Sequence, residues 1–155
     1  ALSAVPGIKV VILETCQSGG FIGKGNLDDI ETSTIEFNHL IIDQFNKNIT
    51  RDLLNKTPYQ VITSCTSSQS AVELIDLPHP KDGNPFGIFG AAFCNGCGYD
   101  DGNYYADKDG NTRISLIEMQ SHIDSFVMSL ETVIGEIDQD VQIYPELSHF
   151  TLYEY

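Results

Sequence analysis

Cys16 is the residue in this sequence best placed for covalent chemistry. It follows the run Ile8-Lys9-Val10-Val11-Ile12-Leu13, which comes after Pro6-Gly7, and it sits inside the small, polar, glycine-rich stretch Glu14-Thr15-Cys16-Gln17-Ser18-Gly19-Gly20. An almost continuous β-branched run predicts a strand buried on both faces, as in a parallel sheet. A thiol at the end of such a strand is held in place. The glycines leave room for a substrate backbone, and main-chain N–H groups at the turn can stabilise a thiolate and a developing oxyanion. The competing reading is a small buried hydrophobe, the usual fate of a free cysteine.

A second cluster points to a hard cation. Asp107-Lys108-Asp109-Gly110-Asn111-Thr112-Arg113-Ile114-Ser115-Leu116-Ile117-Glu118 places oxygen donors at positions 1, 3, 5, 9 and 12 of a calcium-loop pattern, with the main-chain carbonyl at position 7 as a further donor. The candidate ligands are therefore Asp107, Asp109, Asn111, Arg113 through its carbonyl, Ser115 and Glu118, and calcium bound there would be structural or regulatory. Thr112 stands where the pattern has glycine, and a β-branched residue at positive φ is costly. The alternative is a solvated turn before a capped helix, since Ser115-x-x-Glu118 is itself a capping box.

The elements that must position these residues follow from periodicity. Ser33-x-x-Glu36 and the apolar spacing of Phe37, Leu40, Ile41, Phe45, Ile49 and Leu53 predict helix over 33–55, with an Asn-rich patch at 46–48 able to divide it. Tyr59 to Cys65 reads as a strand ending in the polar run Thr66-Ser67-Ser68-Gln69-Ser70. Phe86 to Phe93 reads as a buried helix weakened by Gly87 and Gly90. Residues 98–113 read as an acidic loop. Residues 114–130 read as an amphipathic helix with Leu116, Met119, Ile123, Phe126, Val127 and Leu130 on one face, and Phe150 to Tyr155 as a last strand. Strands alternating with helices predict an α/β architecture with a mostly parallel sheet flanked by helices. Sites in such sheets lie beyond the carboxyl ends of the strands, where Cys16 and the 64–70 run fall.

The segment from Val11 to Ile22, Val-Ile-Leu-Glu-Thr-Cys-Gln-Ser-Gly-Gly-Phe-Ile, resembles the nucleophile segment of caspase-like cysteine peptidases: legumains, metacaspases and clostripain relatives. Val61 to Ser68 resembles the next strand and its substrate-lining loop. The resemblance runs loosely over 5–155, apart from an apparent insertion at 23–57, and the chain reads as one catalytic-domain portion. The resemblance implies a cysteine endopeptidase acting through a Cys16 acyl-enzyme, with the Cys16 N–H in the oxyanion hole. Glu14 and the Ser64, Cys65, Thr66 and Ser67 run would line the substrate pocket. A carboxylate there favours Arg or Lys before the scissile bond; in legumain a similar Glu helps select Asn. The sequence departs from the Gln-Ala-Cys signature of animal caspases, so strict Asp specificity is not implied.

Amide cleavage by cysteine needs a proton donor for the leaving amine. The family carries it upstream, in a His-Gly pair. Here His39, His79, His122 and His149 all follow Cys16, and none precedes a glycine. The expectation is therefore an N-terminal portion of the same precursor that carries the histidine, with the fold incomplete without it. A start at Ala1 fits a processed heterodimer; the competing explanation is that activity is absent.

Composition narrows the partners. Eight Lys and Arg against 22 Asp and Glu give a formal charge of −14, which disfavours nucleic acid and anionic membranes. No apolar run approaches the ~18 residues of a membrane helix. A peptide or protein substrate is the expected partner. Cys94-Asn95-Gly96-Cys97 is weak as a zinc pair and reads as a local disulfide or two free thiols; a thiol redox protein is a distant reading. Asn48-Ile49-Thr50 and Asn55-Lys56-Thr57 match a glycosylation pattern that also arises by chance. The alternative to a peptidase is a non-catalytic, calcium-stabilised binding or scaffold domain on the same fold.

Overall fold

The computed structural model describes residues 6–22, 59–74 and 85–155. The helix expected over 33–55, with its Ser33 capping box, both glycosylation patterns, His39 and His79 lie outside the described residues.

Strand β1 (Lys9–Leu13) pairs in parallel with β2 (Tyr59–Thr63), Val11 opposite Val61 and Leu13 opposite Thr63. On its other side β2 pairs antiparallel with β6 (Gln142–Tyr144). Two short antiparallel pairs complete the strands: β3 (Glu73–Leu74) with β4 (Phe86–Gly87), and β5 (Arg113–Ser115) with β7 (Thr151–Glu154). Among the described residues one pairing is thus parallel and three are antiparallel, where the sequence predicts a mostly parallel sheet.

Helix α1 (Ile88–Gly96) and helix α2 (Leu116–Ile134) lie against each other, and α2 lies against β2. Ile88, Phe89 and Ala92 meet Leu116, Met119, Ile123 and Val127, and Ile62 of β2 and Ile143 of β6 join the same core. Leu116, Met119, Ile123 and Val127 recur at helical spacing, so one stripe of α2 faces the core. Phe126 and Leu130, expected on that stripe, are partly buried at its margin. Ser115 caps α2: its hydroxyl accepts from the Glu118 N–H, and the Glu118 carboxylate accepts from the Ser115 N–H. At the other end Gly135 takes φ 92, a left-handed conformation that favours glycine.

The start of α1 has no side-chain cap of its own. The Glu14 carboxylate, arriving from the end of β1, accepts a hydrogen bond from the Gly90 N–H at 3.2 Å. A carboxylate there satisfies an orphan amide and sits at the positive end of the helix dipole. Gly87 and Gly90 make this approach feasible. A Cβ at Gly90 would lie 2.7 Å from Glu14 Oε2, and one at Gly87 would collide with Oε1. Their glycines weaken the helix as a local pattern but accommodate a residue far away in sequence.

The expectation that β1 is buried on both faces is corrected. Val11 and Leu13 pack with Tyr59, Val61 and Tyr144. Ile8, Val10 and Ile12 are 59%, 44% and 48% exposed. By register Val10 and Ile12 share a face with Gln60 and Ile62. The helices cover that face at Ile62, and the cover ends before β1.

His122 is buried in α2 beneath Gly96, whose Cβ would approach the ring to 2.7 Å. Burial, and then the Lys108 ammonium, hold this imidazole below its ordinary value of 6.5, against the opposing hydrogen bond to the Ala92 carbonyl. The unfolded chain then binds a proton that the folded chain refuses. The contribution of neutral His122 is complete above about pH 6.5 and falls as pH drops toward its own lower value. Asp124, whose carboxyl burial and Asp140 push up to about 6, works in the opposite sense over the same range, so the test is the difference: from pH 7.5 to 5 the urea midpoint of the wild type is expected to fall relative to that of His122→Phe. Parallel curves for the two proteins would refute the assignment.

Candidate functional site

Cys16 is exposed, just past the carboxyl end of β1. The residue after it, Gln17, has φ 61. A non-glycine residue in the left-handed region is sterically disfavoured and persists where its surroundings enforce it. The enforcement here is visible. Gln17 N–H donates to the Gln69 carbonyl at 2.8 Å, and the Gln17 carbonyl accepts from Gly20 N–H at 3.0 Å. Ser18, at the head of a 3-10 turn (Ser18–Ile22), is fully buried. Its hydroxyl accepts from Cys65 N–H at 3.1 Å, lies 3.1 Å from the Ser64 hydroxyl and reaches the Cys65 carbonyl at 3.3 Å. Gly19 lies flat against the backbone of 65–67.

Ser64 ties the same turn from the β2 side. Its N–H donates to the Leu13 carbonyl at 2.8 Å. Its hydroxyl accepts from Thr15 N–H at 3.3 Å and donates to the Thr15 carbonyl at 3.2 Å. The Cys65 thiol donates to the carbonyls of Thr15 and Gln69. Of the run expected to line the substrate pocket, Ser64, Cys65 and Ser67 are 0%, 0% and 3% exposed. Ser64 and Cys65 brace the Cys16 turn, and Thr66 alone of the four is half-buried. Glu14 is exposed beside the start of α1, close enough to act on Cys94: burial, then the Asp100 and Glu14 charges, push the Cys94 thiol up. Burial and Cys94 push Cys97 up to about 11. Both are free thiols, and protonated thiols at neutral pH are poor nucleophiles, which counts against a redox pair.

The two described histidines have places elsewhere. His122 is buried between α1 and α2. His149 lines a cavity of about 290 Å³ together with Asp109, Asn111, Ser115 and Glu118.

That cavity belongs to the acidic loop. Carboxylate oxygens of Asp107, Asp109 and Glu118 lie within 4.8 Å of one another. Gly110 and Thr112 take φ 71 and 68, so the chain makes the sharp turn at Thr112 despite its branched side chain. Three bonds support that residue's segment. Asp107 Oδ2 accepts from Thr112 N–H at 3.0 Å, Asp107 Oδ1 accepts from Gly110 N–H at 2.9 Å, and the Thr112 carbonyl accepts from Tyr155 N–H at 3.1 Å. The Tyr155 hydroxyl donates to Asp107 at 2.7 Å. That bond, with the amides of Thr112, Asn111 and Gly110, holds the Asp107 carboxyl below its usual range despite some burial. Burial raises the Glu118 carboxyl, but hydrogen bonds from the Ser115 hydroxyl and N–H and from the Lys108 and Asp109 amides outweigh it and hold it low. Arg113 pairs with Glu154 at 3.3 Å rather than with these carboxylates. The three carboxylates converge, and Asn111, Arg113 and Ser115 line the cavity beside Asp109 and Glu118, so the oxygen donors here are of the kind calcium takes. The residues fit the ion.

Sequence reasoning missed Gln69, whose main chain holds Gln17, and Tyr155, which joins the chain's last strand to the acidic loop. Neither stands in a local pattern that announces it. No helix among the described residues is long and apolar enough to cross a membrane. Comparison of the chain with family models, with characterised proteins and with solved structures yields no match.

Proposed function

We propose that the chain is the cysteine-bearing portion of a caspase-like endopeptidase with Cys16 as its nucleophile. The observation that carries this reading is an exposed thiol on a left-handed turn held from two sides, at the carboxyl end of a parallel strand. In the reaction Cys16 Sγ adds to the scissile carbonyl carbon, and the carbonyl oxygen takes up the negative charge. The C–N bond breaks as the leaving amine is protonated, and water then cleaves the thioester and restores the thiol. The imidazole that carries the proton belongs to the N-terminal portion of the precursor. The apolar, uncovered face of β1 at Val10 and Ile12 suits the packing of such a portion. Glu14, an exposed carboxylate two residues from Cys16, favours Arg or Lys at P1, with Asn next. Peptides that differ only at P1 test this. The chain joined to its N-terminal portion is expected to cleave after Arg at least tenfold faster than after Asp. Equal or absent cleavage across the series would sink the reading.

In the same reading the 107–118 loop holds Ca2+ as a structural ion. Calcium is expected to raise the melting temperature, and Asp107→Ala to abolish the rise. Terbium added in its place is expected to luminesce through Tyr155, whose hydroxyl touches Asp107, and Tyr155→Phe to remain folded and lose most of that sensitised signal. Identical melting curves with calcium and with chelator would exclude the site. This loop also favours the second reading, a non-catalytic calcium-stabilised binding domain. Under it, calcium binds but no electrophile distinguishes Cys16.

A further inference from the structure

We propose that Gln69 is a positioning residue for Cys16, holding the Gln17 peptide in its left-handed turn; this rests on the reading of Cys16 as nucleophile. Gln69 lies in the loop after β2 and is only 7% exposed. Its main-chain carbonyl accepts from Gln17 N–H at 2.8 Å and from the Cys65 thiol at 3.3 Å. Its Oε1 accepts from Thr66 N–H at 3.1 Å and Asp140 N–H at 3.0 Å. Its Nε2 donates to Asp138 Oδ1 at 2.6 Å and Asp140 Oδ2 at 2.7 Å. Both polar atoms of the side chain are thus engaged, and Gln69 joins three segments: the Cys16 turn, the loop after β2 and the approach to β6.

The chemistry needs an amide. One end must accept from two main-chain N–H groups while the other donates to two carboxylates, and only a carboxamide does both. Left unheld, Gln17 would relax from a conformation that side-chain-bearing residues rarely keep, and the Cys16 thiol and N–H would turn with it. A substrate that must meet both at once would feel that movement, whereas a small electrophile that meets only the sulfur would not. Gln69→Glu makes the dependence testable. It sets a carboxylate against Asp138 and Asp140, with Asp124 beside Asp140, and protonation of the new carboxyl restores a donor.

The experiment uses the chain joined to its N-terminal portion and compares labelling of Cys16 by a peptidyl ketone and by iodoacetamide, alongside hydrogen exchange at the Gln17 amide. In Gln69→Ala, exchange at Gln17 is expected to accelerate at least tenfold with the Ile123 amide of α2 unchanged. Peptidyl labelling is expected to fall at least tenfold relative to iodoacetamide. Gln69→Glu is expected to match that loss at pH 7.5 and to regain most of it, relative to wild type, at pH 5. Should Gln69→Ala not fold, Gln69→Glu carries the same measurements. Unchanged Gln17 exchange, or peptidyl and iodoacetamide labelling falling together, overturns the proposal. A wild type that shows no preference for the peptidyl reagent sinks the peptidase reading, and Gln17 exchange still reports whether the clamp exists.

Discussion

A ketone carrying a peptidyl-arginine group is expected to capture Cys16 and to leave Cys65, Cys94 and Cys97 unmodified. Burial sets Cys65 apart, and raised titration sets Cys94 and Cys97 apart. Cys65 is 0% exposed and spends its proton on the carbonyls of Thr15 and Gln69. Cys94 is exposed, but burial of its sulfur, then Asp100 and Glu14, hold the thiol protonated. Cys97 sits behind it, pushed up to about 11. Cys16 alone combines an open position with a turn whose neighbours fix it. Cys16→Ala is expected to remove capture and to lower peptide turnover by at least about 10³-fold, since loss of a covalent nucleophile leaves only binding and oxyanion stabilisation. Mass mapping of the labelled peptide reads the first result, and a fluorogenic peptide reads the second. Modification spread over the exposed cysteines at equal rates, in the presence of the N-terminal portion, would refute the nucleophile assignment and leave the calcium-stabilised binding domain as the better account.

What was legible in the sequence is what local physics decides. The 3.6-residue spacing of Leu116, Met119, Ile123 and Val127 marks α2, and Ser115-x-x-Glu118 marks its start; the structure has both, with the helix running on to Ile134. The strands at 9–13 and 59–63 follow from their β-branched residues. Burial was less legible, because it depends on what packs outside the element. Val10 and Ile12 have the composition of a doubly covered strand, yet the helices stop at Ile62. Long-range support was least legible. Gly87 and Gly90 read as helix defects until Glu14 is seen to need the space. Thr112 reads as an obstacle to the acidic turn until Asp107 and Tyr155 are seen to bind its N–H and carbonyl. Ser64 and Ser67 have the small polar character of a substrate-lining run, and the structure uses them inward instead. In each case the deciding partner lies outside any window a local pattern can cover.

Gly19→Ala is expected to destabilise the fold by about 1–3 kcal/mol, the range for overpacking a closed site, and to cost Cys16 its peptidyl labelling. A Cβ at Gly19 would stand 2.8 Å from Thr66 Cα, 2.9 Å from the Cys65 carbonyl oxygen and 2.9 Å from Ser67 N. All three are backbone atoms, so no side-chain rotation relieves the contact. The strand-end loop would have to move as a whole, pulling the Ser18 hydroxyl from Cys65 and the Ser64 hydroxyl from Thr15. The contrast with Gly90 separates this steric effect from a general intolerance of alanine. There the obstacle is the Glu14 carboxylate, the far end of a flexible side chain, which can swing away at the loss of one exposed hydrogen bond. Gly90→Ala also gains helix propensity, worth up to about 1 kcal/mol. Chemical denaturation is therefore expected to rank Gly19→Ala well below wild type and Gly90→Ala close to it, with peptidyl labelling of Cys16 following the same order. A Gly19→Ala protein as stable as Gly90→Ala would mean that the turn and the 65–67 backbone are not in contact in solution. The Cys16 turn would then lack its steric backing and rest on the Gln69 bond to Gln17.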